Sequence, residues 1–87
     1  MISISPSESM IHDVELDVRG LTCPLPLLKA KLALNSLSSG QVLKVLVTDA
    51  ASQRDFRSFA QLSGHTLIQE AVQSEPEVVY LYWLCKA

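Results

Sequence analysis

The spacing of apolar positions changes character several times along the chain. In "DVELDV", Asp13 to Val18, the residues Val14, Leu16 and Val18 alternate with Glu15 and Asp17, the two-residue period of a half-buried strand. Gly20 then offers a tight turn. From Pro24 to Leu37 the period lengthens. Leu27, Ala30, Leu34 and Leu37 follow the three-and-four spacing of a helix with one core face, and Leu25, Leu28 and Leu32 make a second apolar stripe rotated from the first. Serines and Gly40 close this helix.

"QVLKVLVTD" returns to a β-branched strand. "SQRDFRSFAQLSG" is a second helix, with Phe56, Phe59 and Ala60 on one face and Gly64 as its stop; Ser52 and Asp55 resemble a capping box with Asp in the Glu position. "HTLIQEAV" and "EVVYLYWLCK" read as two closing strands, joined by a turn at Ser74, Glu75 and Pro76. The order β-α-β-α-β-β makes the first strand pair parallel and the last two a hairpin. Two helices cannot easily cover both faces of four strands. The expected fold is therefore an α/β two-layer sandwich, a four-stranded mixed sheet with both helices on one face. Tyr80, Tyr82 and Trp83 make both faces of the last strand apolar. The uncovered face then needs a second subunit, giving a homodimer, or a docked partner.

At 87 residues the chain is expected to form one domain over 13–87, behind a loose Ser-rich tail at 1–12. The formal net charge is -2, and no basic run or stripe marks a surface for nucleic acid. No apolar run is long enough for a membrane span, and "MISISPSESMIH" lacks the layout of a signal peptide, so the expected location is the cytoplasm. There two cysteines argue for thiol chemistry or buried thiols, not a disulfide framework. Cys23, Cys85, His12 and His65 are scattered without zinc-ligand spacing, and there is no C-x-x-C pair. Neither a metal nor another cofactor is expected.

The candidate chemistry lies in "RGLTCPLPLLKA". Cys23 precedes Pro24, which steers it away from helical angles. Pro24 suits the first helical position, which would make Cys23 the N-cap. Pro24 and Pro26 contribute no N–H, leaving those of Cys23 and Leu25 to face the sulfur. A helix N-terminus would lower the thiol pKa by at most roughly 1.5 units and make Cys23 a competent nucleophile. The other reading is a small structural thiol. Arg19 either stabilises the sulfur anion or pairs with Asp17; Asp55 either lines the site or caps its helix. Lys29 either docks an acidic partner or is a solvated charge, and Leu25, Leu28 and Leu32 either form a partner surface or widen the core face. Cys85 reads as a buried or edge thiol.

"LDVRGLTCPLPLLKAK", with Gly40, "TDAASQRDFRSF" and "GHTL", resembles the TusA/SirA-like sulfur-carrier family. The resemblance implies the same two-layer β-α-β-α-β-β fold. It also implies a carrier whose motif cysteine, here Cys23, accepts sulfane sulfur as a persulfide and relays it to another protein. Cysteine desulfurases or rhodanese-type proteins are the implied donors, and a sulfur-relay protein the acceptor; tRNA thiolation, cofactor synthesis and other sulfur metabolism are the implied uses. Whether such a carrier counts as a sulfurtransferase enzyme is left open. The alternative is a non-catalytic protein-binding module of the same fold.

Overall fold

The computed structural model describes residues 12–87, so positions 1–11 of the expected tail lie outside it. Six elements follow one another: β1 (Val14–Asp17), α1 (Leu25–Asn35), β2 (Val42–Val47), α2 (Ser52–Ser63), β3 (Thr66–Gln73) and β4 (Val79–Cys85). The strands form one mixed sheet in the order β1-β2-β4-β3, with β1 parallel to β2 and the other pairs antiparallel. The parallel pair and the closing hairpin are those the hydrophobic pattern predicts.

Both helices pack on one face. Cross-strand neighbours point the same way, so Leu43 with Leu84 and Val45 with Tyr82 form the sheet's contribution to the core. Ala30 and Leu34 of α1 and Phe56 of α2 complete it, all fully buried. Phe56 stacks on Tyr82 with ring centroids 4.5 Å apart. Burying each leucine side chain contributes roughly 1.5–3 kcal/mol.

The predicted core face of α1 is present, with Pro26 added to it. The second stripe stays outside: Leu25, Leu28 and Leu32 are 45%, 46% and 69% exposed. Widening of the core by Leu28 and Leu32 is thereby overturned. At about 100° per residue the two stripes fall on different sides of α1, and only the one that carries Ala30 and Leu34 meets the sheet.

On the opposite sheet face, Leu46, Leu81 and Trp83 lie among Lys44 and Gln69. The Lys44 ammonium sits 5.4 Å from the centre of the Trp83 ring. That is cation–π distance, so this face combines apolar area with charge. Among the described residues no helix is long and apolar enough to cross a membrane.

Candidate functional site

Two loops at the same end of the sheet build the surroundings of Cys23. The first leaves β1 at Val18 and enters α1 at Leu25. It reverses at Gly20, whose φ of +86° favours a residue without a Cβ. The second joins β2 to α2. It holds the first at two points: the Gly20 N–H donates to Thr48 Oγ1 at 2.9 Å, and the Cys23 N–H donates to Asp49 Oδ2 at 2.7 Å. The other Asp49 oxygen accepts from the Ala51 N–H at 3.2 Å, so one carboxylate secures both loops.

Cys23 is exposed, and its Sγ donates to Asp55 Oδ2 at 3.0 Å. Asp55 stands in the first turn of α2 with its side chain 20% exposed. Arg54 Nε lies 3.8 Å from the other Asp55 oxygen, on a side chain that is largely in solvent.

This geometry corrects three expectations. First, Cys23 is not the N-cap. That position belongs to Pro24, with φ −99° and ψ 11°, and Pro26 follows in the first turn. The Leu25 N–H closes a turn onto the Thr22 carbonyl at 2.9 Å. With the Cys23 N–H given to Asp49, neither donor assigned to the sulfur is free to serve it.

Second, the thiol pKa is raised, not lowered. The hydrogen bond to Asp55 is the main cause, followed by desolvation and the negative charges of Asp55 and Asp49; Arg54 opposes them weakly. A carboxylate that accepts a proton bond stabilises the neutral thiol over the anion.

Third, Ser52 and Asp55 do not form a capping box. The N-cap of α2 is Ala51, without a side-chain cap. Ser52 is buried and its Oγ meets Tyr82 OH at 2.7 Å, while Asp55 takes the thiol.

Arg19 is committed to Asp17. Its Nε and one terminal nitrogen reach the two carboxylate oxygens at 2.9 and 2.7 Å, and its backbone N–H adds a third bond at 3.1 Å. These bonds hold the Asp17 carboxyl down at about 2. Pairing with Asp17 is thus the reading of Arg19 that the structure bears out.

Beside Asp55 a groove of about 380 Å³ runs between the helices, lined by Leu27, Lys31, Phe59 and Leu62 among others. Leu62 is 87% exposed, and Lys31 lies over the Phe59 ring at 5.5 Å. Lys29 is exposed on α1. Cys85 sits opposite Val42, at the other end of β2 from Asp49, on the face away from the helices. A six-residue strand at about 3.3 Å per residue keeps the two thiols roughly 20 Å apart. Among the described residues no cluster of three or more His, Cys, Asp or Glu could hold a metal ion.

Sequence reasoning missed Thr48, Asp49 and Arg54. An Asp just ahead of a helix is a turn signal, which would have marked Asp49 as a loop organiser. Its bond to an amide 26 positions away has no local signature.

The sequence model of the family described as "Sulfurtransferase TusA" matches residues 14–82, most of the chain. The chain belongs to the TusA family. It is 54% identical over 57 residues to the sulfur carrier protein TusA of Allochromatium vinosum, covering 66% of this chain and 75% of that one. It is 40% identical to the TusA of Pseudomonas entomophila over 88% of this chain and 92% of that one. Among solved structures, the SirA-like protein of Desulfitobacterium hafniense superposes with a TM-score of 0.66 at 26% identity, over 86% of this chain and 100% of that one. The TusA match includes Cys23 and both carboxylates hydrogen-bonded to it, Asp49 and Asp55.

Proposed function

We propose that this chain is a sulfur carrier that holds sulfane sulfur on Cys23 as a persulfide and passes it between proteins. The observation that carries this reading is the setting of Cys23: an exposed thiol on a loop fixed through its own amide, within a chain of the TusA family. In loading, the Cys23 sulfur attacks the outer sulfur of a donor persulfide, the donor's S–S bond breaks, and the departing donor thiolate takes up the proton that Cys23 gives up. Unloading is the same step with an acceptor thiol as nucleophile. Nothing is oxidised or reduced overall, and no metal or cofactor is required.

The donor is a cysteine desulfurase or a rhodanese-type protein and the acceptor a further relay protein, working in the cytoplasm. Transfer without loss to water needs protein docking around Cys23. Leu25, Leu28 and Leu32 are exposed beside it, and Lys29 among them can set orientation more than affinity. Gly20, Pro24, Pro26 and Asp55 shape the loop and first turns that present the sulfur.

Intact mass tests the reading. After mixing with a sulfane sulfur donor, the chain should gain one sulfur atom, reversibly with reductant, and Cys23→Ala should gain none. A chain that gains no sulfur yet binds its partner would be a binding module instead.

A further inference from the structure

We propose that Asp55 sets how firmly Cys23 keeps its cargo: its carboxylate favours the empty carrier over the loaded one, so that sulfur is handed on readily. The proposal rests on the persulfide reading above and concerns the balance between its two states.

In the empty carrier Cys23 is a thiol, and its proton lies on the 3.0 Å line to Asp55 Oδ2. Asp55 accepts that bond, and the same contact raises the thiol pKa, so the proton stays on sulfur. In the loaded carrier Sγ is bonded to Cβ and to the outer sulfur and has no proton to donate. The bond to Asp55 is lost. A persulfide is also more acidic than its parent thiol, so negative charge now stands beside the same carboxylate.

Asp49 holds the Cys23 amide at 2.7 Å, which fixes the backbone beside Asp55, and adds a second negative charge. The nearby cations do little to offset this. Arg54 is 3.8 Å from Asp55 on a side chain 82% exposed to solvent. Lys31 shares the groove with Asp55 but rests over Phe59. Arg19 is bound to Asp17. The site therefore stabilises the product of unloading.

The test is a competition between two carriers. Persulfide-loaded wild type is mixed with an equal amount of empty, isotopically labelled Asp55→Asn chain, with a catalytic amount of glutathione as anaerobic shuttle. The variant's thiolate, or that of glutathione, attacks the outer sulfur; the wild-type S–S bond breaks and its thiolate recovers a proton. Intact mass then reads the sulfur on each chain.

Losing a hydrogen bond to a charged group at a solvent-facing site should shift the partition toward Asp55→Asn by about fivefold. The alkylation profile of the empty variant should move to lower pH, which a merely structural role would not produce. Asp55→Ser also removes the carboxylate and keeps the proposal testable if Asp55→Asn folds poorly. It should move both readouts in the same direction as Asp55→Asn. Even partition, or an alkylation profile unmoved by Asp55→Asn in a chain that does load, overturns this proposal alone. A wild-type chain that cannot be loaded overturns the carrier reading and this proposal with it.

Discussion

The Ser52 hydroxyl and the Tyr82 phenol meet at 2.7 Å inside the core, joining the first turn of α2 to the central strand β4. Both residues are almost wholly buried, so each is the other's replacement for water. The same helix turn carries Asp55, and the bond therefore helps to set where the carboxylate meets Cys23.

Ser52→Ala should cost about 1–3 kcal/mol in urea unfolding, because it leaves a buried phenol unpaired. Adding Tyr82→Phe should recover part of that loss. A double-mutant cycle with additive effects would show that the bond contributes nothing.

The same phenol gives a pH signature. Burial pushes Tyr82 up to about 12, against an ordinary value near 10. Its contribution is complete below about 10, where the unfolded chain is also neutral, and is lost as pH rises toward about 12. Wild-type stability should therefore fall more steeply than that of Tyr82→Phe across this window, as read by denaturant titration.

Arg19→Ala should leave the alkylation rate of Cys23 unchanged, since the guanidinium serves Asp17. The Asp17 carboxyl should titrate by NMR near 2 in the wild type and return to its ordinary range, near 4, in the variant. Because its folded value is depressed, its share of stability is present above the ordinary range and disappears as pH falls toward 2. A slowed alkylation in Arg19→Ala would restore Arg19 as a helper of the sulfur.

The two leucine stripes of α1 should separate cleanly. Leu34→Ala, in the fully buried stripe, should cost about 2–5 kcal/mol. Leu25→Glu should unfold like the wild type and still take sulfur from a small donor, but exchange it poorly with a protein. Protein-to-protein transfer that is untouched would place the docking surface elsewhere.

The contrast between those stripes also shows what the sequence could convey. Periodicity separates strands from helices and a core face from an exposed one, because both follow from local geometry and burial. It placed Leu34 inside and marked Leu25, Leu28 and Leu32 as a distinct set. The surroundings of Cys23 were a different matter. The cysteine and its prolines are local, and their pattern pointed to the right residue. The sign of the electrostatic effect comes from Asp55, which lies 32 positions away and which the sequence leaves open between lining the site and capping its helix. The N–H groups thought to serve the sulfur were taken by Asp49 and by Thr22. A spacing rule cannot register competition between distant acceptors for the same donor.

Asp49 also makes the site a composite. The short run from Arg19 to Pro26 carries the reactive atom, yet its shape is fixed by bonds to Thr48 and Asp49, and its chemistry by Asp55. Moving only that run onto another scaffold would transplant a cysteine without its address. A working graft would have to take the facing loop and the start of α2 along with it, as two pieces cut from separate places in the chain and set down together.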